Sequence, residues 1–86
     1  MENLKQLRLK IDEVDEQILQ FLVRRVEVCQ AVGAAKRARR LPIRDVNRES
    51  EIFKRIREKA AKLGLDPVQV EAVYREIVNM CSSVQE

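Results

Sequence analysis

The sequence predicts an all-α protein with one long helix and two shorter ones. Hydrophobic residues make up 45% of the chain and charged residues 36%, proportions that suit helices with one apolar and one charged face. Two phenylalanines, one tyrosine and two glycines leave little material for a sheet. The 86 residues are expected to form a single domain, 1–86, whose core is marginal without a partner chain.

The long helix is predicted from Leu4 to about Ala38, because apolar residues recur every three to four positions without a proline. At ~1.5 Å per residue it is ~50 Å long, whereas a compact chain of this size is only ~30 Å across. Its own chain cannot cover it, so a second copy is expected to pack on the residues that alternate at spacings of three and four. These residues, the N-terminal seam, are Leu4, Leu7, Ile11, Val14, Ile18 and Phe21.

Two cations, Arg25 and Lys36, lie in the apolar face of the second half of this helix. A buried cation without a counter-ion costs several kcal/mol, so each side chain either extends to water or meets an anion. Two cations on one face, ~16 Å apart along the axis, favour a shared anionic ligand. The apolar residues that share their stripe are Ile18, Leu22, Cys29 and Val32.

The second helix is predicted from Val46 to about Leu63. A loop from about Arg39 to Arg44 precedes it, because Pro42 disfavours helical geometry in the residue before it. Asp45 is the expected N-cap, and Gly64 the expected C-terminal stop. The predicted buried stripe is Val46, Ile52, Phe53, Ile56, Ala60 and Leu63.

The third helix is predicted from Pro67 to about Val84. Asp66 supplies an acidic N-cap, proline stands at the first helical position, and Gln69 follows three residues after the cap. The predicted core stripe is Val70, Val73, Tyr74, Ile77, Met80, Cys81 and Val84.

The chain contains no histidine, which removes the commonest general base and the commonest metal ligand. Nucleophilic chemistry of the serine-histidine or cysteine-histidine kind is therefore excluded within this chain. Cys29 and Cys81 are expected to be reduced core thiols of a cytoplasmic protein. Neither a signal-peptide pattern nor an apolar run approaching ~18 residues is present, so no membrane association is expected.

Basic residues are concentrated around the end of the first helix, within a net charge of +3. Such a cluster can bind nucleic acid, but it contains no aromatic residue to stack on bases and no zinc-finger or helix-turn-helix pattern. Nucleic-acid binding is therefore not expected, and a solvated basic turn is favoured for Arg37, Arg39 and Arg40. The cluster comprises Lys36, Arg37, Arg39, Arg40 and Arg44.

Further polar residues are expected to join Arg25 and Lys36 in one pocket. Arg8 lies ~25 Å from Arg25 along the helix, so it can reach the pocket only from a partner helix that runs antiparallel. Cys81 and Gln85 lie one turn apart on the inner face of the third helix. Four cations (Arg8, Arg25, Lys36, Arg48) and two acids (Asp45, Glu49) give an excess of two positive charges, which suits a small dianion.

These positions resemble the all-α chorismate mutase family, in its stand-alone, monofunctional form. No single motif decides the resemblance, but six elements in register cover essentially the whole chain. They are Leu7-Arg8-x-Lys10-Ile11-Asp12-x-x-Asp15, Arg24-Arg25, Val32-Gly33-x-x-Lys36, Pro42-Ile43-x-Asp45, Arg48-Glu49 and Gln85.

The resemblance implies an intertwined homodimer with two equivalent sites, which rearranges chorismate to prephenate on the shikimate route to phenylalanine and tyrosine. This [3,3] rearrangement needs no cofactor, metal, proton transfer or covalent attachment. The enzyme holds a flexible dianion in its reactive shape and stabilises the charge that develops as the C–O bond breaks.

The family pattern also implies a role for each site residue. Arg25 and Arg8 of the partner subunit would bind the two carboxylates, and Lys36 would reach a carboxylate and the ether oxygen. Gln85 would be the second donor to the ether oxygen. Glu49 would accept the substrate hydroxyl, with help from the backbone near Asp45.

Three points are left open by the family pattern. Arg48 would lie beside the ligand or hold Glu49. Cys81 stands where the family often has serine, and because a thiol is a weak donor it is either a substrate contact or a pocket wall. Gln85 is the penultimate residue, and a terminal turn frays unless it is docked.

Two alternatives remain open at this point. An isochorismate-pyruvate lyase shares the fold and the pericyclic mode of catalysis, although Asp45, Arg48 and Glu49 favour the mutase. A non-catalytic helical dimerisation or regulatory module is disfavoured because the proposed ligand groups are all present.

Overall fold

The computed structural model describes residues 2–86. These residues form three α-helices joined by loops, and no strand. Helix α1 spans Leu4–Ala38, α2 spans Val46–Lys62 and α3 spans Pro67–Gln85. The predicted all-α class is confirmed, and the helix bounds match the predicted ones to within one residue. The chain extends 57 Å along its longest axis, which is consistent with the length of α1.

Short polar side chains set the start of every helix. The Asp45 carboxylate accepts from the Arg48 backbone N–H at 3.0 Å, and the Asp66 carboxylate accepts from the N–H groups of Val68 and Gln69, as predicted. At the start of α1, Asn3 and Gln6 form a capping box that the sequence analysis missed.

Left-handed residues follow the ends of α1 and α2. Gly64 has a φ of 77°, and the N–H of Leu65 donates to the Ala60 carbonyl at 2.9 Å, so the predicted glycine stop is confirmed. Arg40 takes the same role after α1 with a φ of 55°, and the N–H of Leu41 donates to the Lys36 carbonyl at 2.8 Å. This turn sends the following loop back over the last turns of α1.

Helix α3 packs against α1 and against α2, whereas α1 and α2 do not pack on one another. The small core consists of Ile52, Phe53 and Val78, with Ile56 and Tyr74 packed against it. At the solvent edge of this contact, Glu71 on α3 pairs with Arg57 on α2 and Arg75 on α3. Hydrogen bonds from these guanidiniums lower the pKa of Glu71.

Four residues predicted to be buried are exposed. Val46 and Leu63 lie at the two ends of α2, outside the buried stretch between Ile52 and Ala60, and expose 74% and 67% of their surface. Val73 and Met80 lie on the side of α3 roughly opposite Val78, a core residue that the predicted stripe omitted. The stripe of α3 that is buried consists of Val78, Cys81, Ser82 and Gln85.

The first half of α1 is uncovered within the described chain. Every residue of the N-terminal seam is between 46% and 63% exposed, although all six side chains are large and apolar. A contiguous apolar face of this kind is unusual in a monomer.

None of the helices in the described part of the chain is both long and apolar enough to cross a bilayer.

Candidate active site

A cavity of about 320 Å³ lies where the second half of α1, the loop after it, the start of α2 and the end of α3 meet. It is within the range of small-molecule sites, roughly 300–1,000 Å³. All the predicted site residues except Arg8 line it. Those lining residues are Arg25, Lys36, Asp45, Arg48, Glu49, Cys81 and Gln85.

Lys36 is the polar centre of one end of this cavity. Its half-buried ammonium donates to the Ile43 carbonyl at 2.6 Å and to Gln85 Oε1 at 2.8 Å. Because an ammonium can only donate, it holds the oxygen of the amide and leaves the Gln85 NH₂ group for another acceptor. The third N–H of Lys36 is also left for a ligand. The two side chains therefore offer a cation and a neutral donor next to one another.

Arg25 lies at the other end of the cavity, against two thiols. Its Nη1 atom is 2.6 Å from Cys81 Sγ and 3.8 Å from Cys29 Sγ. Sulfur is a weak acceptor, and no carboxylate of residues 2–86 pairs with Arg25 or with Lys36. Two half-buried cations thus face the cavity without the counter-ions that usually accompany them, which indicates an anionic ligand.

Cys29 and Cys81 are free, as predicted, and the fold places both beside Arg25 although they are distant in sequence. Burial, together with the neighbouring Cys81 thiol, raises the pKa of Cys29 to about 11. A raised pKa means that the proton is held more tightly, so Cys29 is an uncharged thiol at neutral pH.

Alkylation by iodoacetamide should reveal this raised pKa. Since only the thiolate reacts, the rate at Cys29 in the folded protein should still rise about tenfold per pH unit between roughly pH 8 and pH 10. The same cysteine in the urea-unfolded chain should level off near its ordinary pKa of about 8.5. The measurement is the rate of mass gain on the Cys29 peptide, and a plateau below pH 9 in the folded protein would contradict the raised pKa.

Glu49 is held by Arg44 and not by Arg48. Arg44 donates to Glu49 Oε1 at 2.9 Å and to Asn79 Oδ1 at 2.8 Å, so it connects the loop, α2 and α3. Arg48 instead lies 3.5 Å from Glu51 and lines the cavity. Of the two roles that were left open for Arg48, its position agrees with the one beside a ligand.

Two polar residues of the cavity were missed by the sequence analysis. Arg55 lies two turns after Arg48 on α2, and Ser82 directly follows Cys81 on α3. A search of α2 for cations spaced by seven from Arg48 could have found Arg55. With Arg55 included, four cations and two carboxylates line the cavity, so one chain alone supplies an excess of two positive charges.

Arg8 is exposed and does not line the cavity of its own chain. It lies 17 positions before Arg25, a distance of about 25 Å along α1. The chain therefore does not bring Arg8 to the other site residues by itself.

Comparisons with known proteins agree with this architecture. Residues 7–86 match the family model described as chorismate mutase type II. The chain is 38% identical to the bifunctional chorismate mutase/prephenate dehydratase of Aquifex aeolicus over 89 aligned positions, which cover 100% of this chain but only 25% of that protein.

Two relatives of similar size extend the comparison. The chorismate mutase of Methanocaldococcus jannaschii is 35% identical over 66 positions, 77% of this chain and 67% of that protein. A solved structure described as a conserved hypothetical protein from Pyrococcus furiosus superposes with a TM-score of 0.75 at 32% identity, covering 96% of this chain and 95% of the other. Because the family model matches nearly the whole chain, the chain belongs to the chorismate mutase type II family.

Proposed function

We propose that this chain rearranges chorismate to prephenate in the cavity between its three helices. The observation that carries the proposal is the pair of half-buried cations, Arg25 and Lys36, which face the cavity with no carboxylate partner in residues 2–86. Chorismate is a dianion whose two carboxylates could supply the missing counter-charge. Family membership points to the same substrate.

The geometry suits a reaction that proceeds by orientation and electrostatics. Arg25 can bind one carboxylate with two parallel N–H bonds, which fixes the substrate's direction. Lys36 and the free NH₂ group of Gln85 are adjacent, so both can donate to the ether oxygen as the C–O bond breaks. Such donors are held in place before the reaction and need no reorganisation during it.

The opposite side of the cavity supplies an acceptor. Glu49, held by Arg44, can accept a hydrogen bond from the substrate hydroxyl. Asp45 is engaged as the N-cap of α2, which leaves its neighbouring backbone to contact the ligand. Cys81 is in contact with Arg25 and is proposed to be a wall that positions this guanidinium.

A second copy of the chain is proposed to complete the site. The N-terminal seam is apolar and exposed, and a long helix can cover another long helix in an antiparallel pair. This pairing would bring Arg8 of the partner subunit to the cavity and add a further positive charge for the second carboxylate. The proposed assembly is an intertwined homodimer with two sites.

Folding and dimerisation should then be coupled, because the exposed seam is a large share of the apolar surface that stabilises the fold. Sedimentation combined with circular dichroism should show a helical dimer at micromolar concentration and a loss of helix upon dilution. A folded, helical monomer at micromolar concentration would contradict the intertwined dimer.

The function is tested by incubating the purified chain with chorismate and following the ultraviolet absorbance of the substrate. We expect a catalysed loss of absorbance with prephenate as the product, and little turnover by the Lys36→Ala variant. Pyruvate release from isochorismate, with no conversion of chorismate, would identify the lyase instead. No reaction with either compound would favour a non-catalytic helical module.

A further inference from the structure

The last turn of α3 is held by a residue that the family pattern did not single out. Arg37, on the last turn of α1, donates from Nη1 to the backbone carbonyl of Gln85 at 2.6 Å. The final carbonyls of a helix have no partner within the helix, and they carry partial negative charge. Helix α3 has no basic residue in its own last turn, so Arg37 supplies this cation from the neighbouring helix.

Gly33 brings the two backbones together at the same point. It is buried, and a Cβ at this position would lie only 2.9 Å from Gln85 Cα. A glycine inside a helix costs about 1 kcal/mol relative to alanine, so its place here is explained by the close approach of α3. A larger side chain would push the end of α3 away from α1.

One face of α1 therefore contacts Gln85 at three different groups. Gly33 leaves no room for a Cβ beside the Gln85 Cα, Lys36 donates to the side-chain oxygen, and Arg37 donates to the backbone carbonyl. Lys36 and Arg37 follow Gly33 by three and four positions, which places both next to Gly33 on the surface of the helix. Gln85 is only 7% exposed as a result.

We propose that Arg37 is a positioning residue that acts through Gln85. By holding the Gln85 carbonyl, it fixes the last turn of α3 so that the side-chain amide meets Lys36 and presents its NH₂ group to the cavity. This inference rests on the proposed function only in assigning Gln85 to the reaction. The docking of the helix end does not depend on the substrate.

The kinetic test compares Arg37→Ala with Arg39→Ala, which removes a neighbouring, exposed arginine that makes no side-chain hydrogen bond within residues 2–86. Removing a hydrogen-bond donor to the transition state lowers kcat by roughly 100- to 1,000-fold. A donor that is present but displaced should cause a smaller decrease in kcat. We expect Arg37→Ala to lower kcat on the order of 10-fold with KM little changed. Arg39→Ala should be near wild type. Arg37→Lys, which keeps a cationic donor, should recover part of the loss.

A double-mutant cycle distinguishes positioning from a separate role. If Arg37 acts through Gln85, Arg37→Ala should cause no further loss in a Gln85→Ala background. An equal loss in both backgrounds would overturn the inference while leaving the proposed function intact. An Arg37→Ala enzyme as active as Arg39→Ala would overturn it as well.

A structural readout covers the case in which the wild-type chain does not convert chorismate, which would refute the proposed function alone. In the nuclear magnetic resonance spectrum of the free protein, the side-chain NH₂ signals of Gln85 should be dispersed in wild type and in Arg39→Ala. In Arg37→Ala they should shift toward the values of a mobile glutamine. Unchanged signals in Arg37→Ala would overturn the inference whatever the activity.

Discussion

Replacing Lys36 with alanine should reduce kcat/KM for chorismate by roughly 30-fold to several thousand-fold, the equivalent of about 2–5 kcal/mol. The ammonium lies beside Gln85 and has no carboxylate partner in residues 2–86, so its charge is available to the substrate. Its hydrogen bond to the Ile43 carbonyl is a single loop contact, so the helical fold should persist. Arg25→Ala should reduce kcat/KM for chorismate by a similar factor, because one substrate carboxylate would remain unpaired.

Steady-state kinetics and circular dichroism check these variants together. Lys62→Ala is a matched control, because Lys62 is an exposed lysine in the last turn of α2 and lies outside the cavity. Near-normal turnover by Lys36→Ala or Arg25→Ala would show that the substituted residue does not act on the substrate. A loss of helix would mean that the residue acts on the fold.

The helix bounds could be predicted because they depend on local chemistry. Asp45 and Asp66 cap the residues that directly follow them, and Gly64 adopts the left-handed conformation that ends α2. These interactions span only a few residues, so the sequence around each boundary contains the information. The length of α1, and with it the uncovered seam, follows from the same local pattern.

The rotation of α3 between its two neighbours could not be predicted from a single periodic pattern. Val73 and Met80 fit an apolar stripe as well as Val78 does, but only Val78 lies in the direction of α2 and the core. A helix that packs on two sides needs more than one apolar face, and which side is covered depends on the arrangement of the other helices.

Arg25 and Lys36 were identified from the sequence because a charge within an apolar stripe is unusual wherever it occurs. The other predicted cavity residues were identified from their places near these cations and from the family pattern. The contacts that hold these residues were not predicted, because they join distant parts of the chain. Arg44 reaches Asn79 on α3, and Arg37 reaches the carbonyl of Gln85. Neither arginine lies in an apolar stripe, so nothing local separated them from a solvated basic turn.

The second large effect concerns Arg8. Arg8→Ala should inactivate the enzyme nearly as fully as Arg25→Ala, although Arg8 is exposed and lies about 25 Å from Arg25 on the same helix. The reason is that Arg8 is proposed to act in the cavity of the partner subunit. In a homodimer of either variant, each of the two sites contains one substituted arginine, so neither site is intact.

A heterodimer of the two variants tests the shared site most directly. One of its sites contains both substitutions, and the other site contains neither. Unfolding a mixture of Arg8→Ala and Arg25→Ala chains and refolding them together should therefore restore activity. With random pairing about half the dimers are mixed, and each has one intact site, so recovery should approach about a quarter of the wild-type activity. If subunit exchange is demonstrated and no activity returns, Arg8 lies outside the shared site and the account of a pocket completed by two chains is wrong.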